Sequence, residues 1–149
     1  MIKILVISDT HQDINIIKKI SLTHQNFDYF LHLGDSELPP SLILPFVGVK
    51  GNCDYGLDYP TSKRIKTPFG DIYMEHGNTF IDRDYILKTN ARIFLCGHSH
   101  VHDLKKIDDD HYFANPGSTT RPRDGTEGTY LEIYLDNNYI DFKFRKIDY

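Results

Sequence analysis

Short apolar runs separated by polar turns dominate the pattern of the chain and predict mainly β-structure. The run at 2–7 is rich in β-branched residues and predicts a strand that is buried on both faces. Further short runs predict strands at 27–33, 46–49, 62–66, 71–75, 93–96, 102–107, 111–114, 130–135 and 139–144. The turn segments 67–70, 108–110 and 136–138 join neighbouring runs and predict hairpins.

Helical periodicity occurs in two places. Apolar residues recur at helical spacing within 13–24, which predicts a helix that Asp13 caps, and a shorter helix is predicted over 83–89. Strands and helices alternate in the first part of the chain, whereas hairpins fill the second part. We therefore expect an α/β fold of two packed sheets with helices outside. A single flavodoxin-like sheet is the alternative, and the scarcity of helices after residue 100 disfavours it.

Composition and charge narrow the class of protein. A length of 149 residues fits a single domain over 1–149. The net charge of −4 argues against binding to extended nucleic acid or to anionic membranes. Cys53 and Cys96 cannot form a disulfide framework and fit a reducing compartment. The first apolar run is too short to span a membrane and lacks a signal-peptide cleavage site, so we expect a cytoplasmic protein.

Side chains that can bind metal follow five of the predicted strands. They are Asp9 and His11, then Asp35, Asn52 and His76, and finally His98 and His100. In an open α/β sheet, ligands collect beyond the carboxyl ends of the strands. Seven donors exceed the needs of one tetrahedral ion. They suit two ions bridged by a carboxylate and roughly 3.5–4 Å apart, an arrangement used in phosphoryl transfer.

The ordered segments that carry these ligands resemble the calcineurin-like metallophosphoesterase superfamily. The segments are Asp9-Thr10-His11, Gly34-Asp35, Gly51-Asn52, His76-Gly77 and Gly97-His98-Ser99-His100. The short chain, Asn115-Pro116-Gly117-Ser118 and Pro122-Arg123 resemble the small YfcE-type phosphodiesterase branch. The resemblance implies a four-layer αββα sandwich of two mixed β-sheets flanked by helices, with a binuclear metal centre between the sheets.

The resemblance also implies a role for each ligand. It assigns Asp9, His11 and His100 to the first ion, Asp35 to both ions as the bridge, and Asn52, His76 and His98 to the second. Catalysis would involve Asp35, Asn52 and His76, through a metal-bridging hydroxide and the positioning of phosphate. Imidazole and carboxylate ligands suit Mn²⁺, Fe²⁺, Co²⁺, Ni²⁺ or Zn²⁺. The resemblance favours two Mn²⁺ ions.

The sequence does not decide whether four residues near the ligands take part in catalysis. Cys53 and Asp54 follow Asn52, where the larger enzymes of the superfamily carry a histidine. Asn78 stands where many relatives have a second histidine, and His102 where relatives often have proline. We expect His102 not to be a ligand. Three other histidines, His24, His32 and His111, are predicted to be surface or hydrogen-bonded residues, and Cys96 a small core residue.

The function expected from these residues is that of a metal-dependent phosphodiesterase acting on small phosphodiesters. Phosphomonoesterase and nuclease activities are alternatives that use the same metal site. A non-catalytic protein-interaction scaffold of the retromer-subunit type is the rival from another class, and the presence of both Asp35 and Asn52 disfavours it. The segments 55–64 and 119–123 are expected to form walls of the substrate pocket beyond the metal ligands, and so to select the substrate. A homo-oligomeric state stays open.

Overall fold

The computed structural model describes residues 1–121 and 127–147, so Pro122 and Arg123 lie outside the described residues. Within them the chain forms ten strands and two α-helices. These are β1 (Ile2–Ile7), α1 (Ile14–Thr23), β2 (Tyr29–His32), β3 (Val47–Gly48), β4 (Ser62–Thr67), β5 (Gly70–Glu75), α2 (Arg83–Lys88), β6 (Ile93–Leu95), β7 (Asp103–Lys106), β8 (Tyr112–Asn115), β9 (Thr129–Leu135) and β10 (Ile140–Lys146). A short 3-10 helix spans Pro40–Leu42.

The strands form two mixed sheets of five strands each. The first sheet has the order β10-β9-β1-β2-β3, in which β1, β2 and β3 are parallel and β9 and β10 are antiparallel to their neighbours. The second sheet has the order β4-β5-β6-β8-β7, in which β5, β6 and β8 are parallel. Its two edge strands, β4 and β7, pair with antiparallel register. The flavodoxin-like alternative, which needs one sheet, is therefore wrong.

The two sheets pack face to face over a common apolar core. The fully buried side chains of this layer come from both sheets and include Ile4, Val6, Leu31, Ile72, Met74, Ile93, Leu95, Leu131 and Ile133. The β1 side chains that point the other way, Leu5 and Ile7, pack against α1. Phe94 and Cys96 pack against α2 on the outer face of the second sheet. The layers are thus helix, sheet, sheet and helix, which confirms the predicted αββα sandwich.

Each of the two α-helices begins at an aspartate, a residue type that is favoured at helix N-caps. The Asp13 side chain accepts a hydrogen bond from the N–H of Ile16, and Asp82 does the same for Tyr85. In α1 the buried residues Ile16, Ile17 and Ile20 form one stripe, as the periodicity predicts. Burying an isoleucine side chain stabilises the fold by about 1.5–3 kcal/mol, so this stripe holds the helix on the sheet.

Strand β3 is shorter than the run at 46–49 predicts. Only Val47 and Gly48 pair with β2, through Leu31 and His32. The flanking residues Phe46 and Val49 are nevertheless buried, which explains why the run is apolar throughout. Apolar patterning reports burial rather than hydrogen bonding, and the two coincide for only part of this segment. Within the described residues, no helix has the length and apolar character needed to cross a bilayer.

Candidate metal centre

The loops that follow five parallel strands bring all seven predicted ligands into one cluster. Nε2 of His76 lies 3.1 Å from Oδ2 of Asp35 and 2.9 Å from Oδ1 of Asn52. Nδ1 of His98 lies 3.1 Å from the same Asn52 oxygen. These four residues form one half of the cluster.

The other half of the cluster contains Asp9, His11 and His100. Nε2 of His100 lies 3.3 Å from Oδ1 of Asp9 and 3.3 Å from Nε2 of His11. Oδ1 of Asp9 is also 3.8 Å from Nε2 of His76, so this carboxylate stands between the two halves. Asp9 belongs to both groups of potential ligands, with His11 and His100 and with Asp35 and His76. The bridging role of Asp35 stays a prediction.

The backbone at the ligands adopts a conformation that side-chain-bearing residues rarely adopt. Five of the seven have positive φ: Asp9 (55°), His11 (43°), Asp35 (60°), His98 (71°) and His100 (62°). Each such residue costs of order 1–3 kcal/mol and persists only where surrounding contacts enforce it. Such conformations cluster at functional sites, and here they turn successive side chains towards one point.

Two glycines allow the ligand loops to approach each other closely. A Cβ atom at Gly51 would overlap the carboxylate of Asp35, and one at Gly97 would overlap the hydroxyl of Ser8. Any other residue at these positions would push the loops apart. The sequence shows these glycines beside the ligands, and the structure gives the physical reason for them.

Backbone carbonyls fix the orientation of two imidazole rings. Nδ1 of His76 donates to the carbonyl of Leu33 at 2.8 Å, and Nδ1 of His100 donates to the carbonyl of Arg121 at 2.6 Å. A carbonyl oxygen can only accept, so the proton is on Nδ1 in both rings. Nε2 of each ring therefore points its lone pair into the cluster, which is the arrangement that metal-binding histidines use.

A carboxylate orients the third imidazole in the same way. Nδ1 of His11 lies 2.9 Å from Oε2 of Glu37, and Nε2 faces His100. Sequence reasoning missed Glu37, because nothing in the local pattern indicates a contact across 26 positions. A carboxylate behind a ligating histidine fixes the ring and raises its basicity.

The cluster fits a divalent cation. Oδ1 of Asp9 is buried, and among the described residues no group donates a well-oriented hydrogen bond to it. The Nε2 lone pairs and the carboxylate oxygens face one another, so a positive charge is needed between them. Although burial opposes it, contact with His76 and the N–H of Cys53 lower the pKa of Asp35 to about 2. This carboxylate is therefore ionised and available to a cation at neutral pH.

A proton competes with a cation for His76. Burial alone would lower the pKa of this imidazole, but Asp35 and Asp9 outweigh burial and raise the pKa above its usual value. Metal ligands must be deprotonated, so cation binding releases a proton here. Cation affinity is therefore expected to weaken as the pH falls.

Asp54, whose role the sequence left open, supports the loops that carry the ligands. Its carboxylate is buried and accepts hydrogen bonds from the backbone N–H groups of Asp35 (2.9 Å), Glu37 (2.8 Å) and Gly51 (2.7 Å). Charge-assisted bonds of this kind are about twice as strong as neutral ones. Asp54 therefore positions two ligand loops.

The ligands open onto a cavity of about 300 Å³. Its lining consists of His11, Asp35, Asn52, Cys53, His98, His100 and Arg121. Arg121 brings a guanidinium group, which suits a phosphate. The segments 55–64 and 119–123 were expected to form the walls of the substrate pocket. Among the described residues, Arg121 is the one residue of these segments that lines this cavity.

The other three residues whose roles the sequence left open, Cys53, His102 and Asn78, differ in burial and in their contacts. Cys53 is half-buried; its backbone N–H donates to Asp35 at 2.8 Å, and its thiol also contacts this carboxylate. Burial and the neighbouring Asp35 raise the pKa of the Cys53 thiol. His102 packs its ring 5.3 Å from that of Phe144, while Asn78 is exposed.

The three histidines predicted to be surface or hydrogen-bonded residues all have hydrogen-bonding partners. His24 contacts Glu132 at 2.9 Å, and His111 contacts Asp108 at 2.7 Å. His32 is only 1% exposed and contacts Thr10 beneath the ligand loops. The prediction for Cys96 also agrees with the structure, since this residue is buried in the core beside α2.

Comparison with known proteins places the chain in a family. Residues 2–138 match the model of the calcineurin-like phosphoesterase superfamily domain. The chain belongs to this superfamily. A curated relative, the probable metallophosphoesterase YsnB of Bacillus subtilis (strain 168), is 28% identical over 152 residues, covering 95% of this chain and 89% of YsnB. The resemblance to the superfamily seen in the sequence is thereby confirmed.

Solved structures of similar proteins share the whole fold. A predicted phosphoesterase from Streptococcus pneumoniae TIGR4 is 31% identical, with a TM-score of 0.88, covering 97% of this chain and 88% of its own. The E. coli phosphoesterase YfcE is 17% identical, with a TM-score of 0.66, covering 93% of this chain and 91% of YfcE. Zinc-complexed Vps29 from Entamoeba histolytica is 20% identical, with a TM-score of 0.72, covering 99% of each chain. The last two likenesses show the fold alone.

Proposed function

We propose that this protein is a phosphodiesterase that hydrolyses small phosphodiesters at a binuclear metal centre. The observation that carries the proposal is the buried Oδ1 of Asp9, which stands between imidazole nitrogens of both halves of the cluster. An oxygen in this position is suited to a cation, and the superfamily consists of phosphoesterases. The expected location of the protein is the cytoplasm.

The ligand roles follow the two halves of the cluster. Asp9, His11 and His100 would hold one ion, Asn52, His76 and His98 the other, with Asp35 shared between them. Two divalent ions, when bound, lower the pKa of water and neutralise charge on a transferring phosphoryl group. The mixed imidazole and carboxylate donors suit Mn²⁺, the preferred candidate, and also suit Fe²⁺, Co²⁺, Ni²⁺ and Zn²⁺.

The substrate phosphate would meet two further groups of this chain. Oδ1 of Asn52 faces His76 and His98, and its amide nitrogen donates to the Cys53 sulfur at 3.7 Å. The second N–H of this amide would donate to a phosphate oxygen. Arg121 lines the same cavity, and its guanidinium group would pair with the phosphate charge. A cavity of about 300 Å³ suits a small diester, and the net charge of −4 disfavours extended nucleic acid.

The second candidate is a protein-interaction scaffold, which the likeness in fold to Vps29 favours. Fold alone does not decide between a scaffold and an enzyme. Turnover separates the two, because a scaffold needs no reaction, whereas zinc-complexed Vps29 shows that metal content alone does not decide.

The test combines elemental analysis with turnover of bis(p-nitrophenyl) phosphate after dialysis against Mn²⁺. We expect two ions per chain and faster hydrolysis of the diester than of p-nitrophenyl phosphate, the monoester. Asp35→Ala should reduce turnover at least about a hundredfold, which is ~2.7 kcal/mol of transition-state stabilisation. His102→Phe, the control, keeps a ring against Phe144 and should retain activity. Fewer than one ion per chain, without turnover, would favour the scaffold.

A further inference from the structure

A second and larger cavity, of about 540 Å³, adjoins the metal centre on the outer side of the second sheet. It lies between the loop that precedes α2 and the strands β7 and β8. Its apolar walls are Phe80, Ile81, Ile86, Val101, Ile107 and Phe113. Helix α2 packs on Phe94 and Cys96, while the neighbouring Phe113 contributes to the floor of this cavity.

This cavity, which we call the apolar cavity, adjoins the cavity over the ligands at His98. His98 lines both the apolar cavity and the 300 Å³ cavity over the ligands. Gly97 and Ser99, on either side of His98, also line the apolar cavity. The two cavities therefore meet at the segment that carries the ligand His98.

Three polar side chains in the walls have partners within the chain. The Asn115 amide donates to the carbonyl of Gly97 at 3.0 Å, and Arg83 donates to the carbonyl of Ile107 at 2.9 Å. Asp82 caps α2. These groups hold the walls in place. Lys105, which also lines the cavity, lies 3.5 Å from Asp103 and 5.5 Å from the centre of the Phe113 ring. The cavity therefore offers its occupant apolar and aromatic contact together with one cation.

Two phenylalanine rings indicate the shape of the occupant. Phe80 leaves 83% of its surface exposed at the cavity, whereas Phe113 is partly buried against Phe94. Aromatic rings prefer other flat rings in stacked or edge-to-face contact, and such contacts stabilise beyond the area that they bury. An exposed ring above a ring-lined cavity therefore favours an aromatic occupant.

We propose that the apolar cavity binds an aromatic substituent of the phosphodiester substrate while the phosphate is held at the metal centre. This inference rests on the proposed function and adds to it a substrate class, phosphodiesters that carry an aromatic group. The substituent would pass His98 and lie between Phe80 and Phe113.

The first test compares two diesters with the same leaving group, bis(p-nitrophenyl) phosphate and methyl p-nitrophenyl phosphate. They differ only in the substituent that remains on phosphorus. Phe80→Ala should reduce the ratio of their kcat/KM values about five- to tenfold, mainly through KM for the diaryl substrate. Leu22→Ala, a control on α1 that removes a side chain 65% exposed, should leave the ratio unchanged.

The second test measures binding directly rather than through the rate of hydrolysis. The chain contains no tryptophan, so Phe80→Trp creates a single tryptophan at the apolar cavity, which can be excited selectively over the ten tyrosines. Phenyl phosphate should change the fluorescence of the Mn²⁺-loaded variant, whereas methyl phosphate should not. Tyr139→Trp, on the β9–β10 hairpin, is the control and should respond to neither.

The two tests distinguish failure of the inference from failure of the proposed function. Normal diester hydrolysis, with an unchanged ratio in Phe80→Ala and no fluorescence response in Phe80→Trp, would overturn the aromatic subsite and leave the activity intact. A fluorescence response to phenyl phosphate alone, without hydrolysis of either diester, would support the subsite and count against the proposed phosphodiesterase.

Discussion

Nε2 of His32 lies 2.9 Å from the hydroxyl oxygen of Thr10, in the interior beneath the ligand loops. The backbone N–H of Gly34 donates to Nδ1 of the same ring at 3.0 Å. Because Nδ1 accepts this bond, Nε2 carries the proton and donates to Thr10. The neutral ring thus joins the loop that carries Asp9 to the loop that carries Asp35.

The burial of His32 predicts a pH dependence of stability. Burial lowers the pKa of His32 from 6.5 to about 4; Asp9 and Asp35 oppose this shift, and His76 and His11 add to it. Between these values the unfolded chain binds the proton and the folded chain does not. The free energy of unfolding should therefore fall as the pH drops from 6.5 towards 4, by up to about 1.4 kcal/mol per pH unit from this group.

Urea unfolding at a series of pH values from neutral down to the pKa of folded His32, in the presence of a chelator, measures this effect. His32→Gln keeps hydrogen-bonding groups but does not titrate, so its stability should depend less steeply on pH. His111→Gln, which alters a half-buried histidine elsewhere, should keep the slope of the wild type. Equal slopes for wild type and His32→Gln would show that His32 is not the responsible group.

The three backbone N–H groups held by Asp54 predict a loss of metal affinity on substitution. Asp54→Ala removes their shared acceptor and frees the loops that carry Asp35 and Asn52. Residues that hold metal ligands in place without binding the metal typically contribute about 10- to 100-fold to metal affinity, so we expect a decrease of that size. Calorimetric titration with Mn²⁺ measures it. Asp58→Ala, an exposed position on the same loop, is the control, and equal affinities in the two variants would contradict the prediction.

The contact between Glu37 and His11 predicts a smaller effect that depends on the substituted side chain. Glu37→Ala removes the acceptor that fixes the ring, and we expect Mn²⁺ affinity to fall about tenfold. Glu37→Gln retains an acceptor oxygen and should lose less. Asp109→Ala, whose side chain is 97% exposed, is the control. If Glu37→Gln binds Mn²⁺ more weakly than Glu37→Ala, the hydrogen-bond acceptor behind His11 does not account for the Mn²⁺ affinity.

The position of Cys53 predicts that its thiol is dispensable. Its backbone N–H contacts Asp35, and this contact survives any substitution of the side chain. Cys53→Ser should therefore keep activity within about threefold of the wild type, well below the roughly 10²–10⁴-fold that a general acid contributes. A series of substituted phenyl phosphodiesters should show the same dependence on leaving-group pKa in both proteins. A steeper dependence in Cys53→Ser would identify the thiol as a proton donor.

The local pattern of the sequence was sufficient for the elements and for the order of the ligands. Strand β1 coincides with the predicted run at 2–7, and Asp13 caps α1 as predicted. The ligands follow the ends of parallel strands, and parallel strands expose their carboxyl ends at one edge. These features depend on side-chain periodicity and turn chemistry over a few residues, which a sequence displays directly.

Only the tertiary structure decided which residues hold the ligands in place. The contacts of His11 with Glu37 and with His100 span 26 and 89 positions, and the burial of His32 depends on both ligand loops. The positive φ angles at five ligands are likewise imposed by the surrounding loops. The sequence determined which side chains reach the edge of the sheets. Only the packing of the two sheets determined their distances, tautomers and protonation, because these properties depend on residues that are distant along the chain.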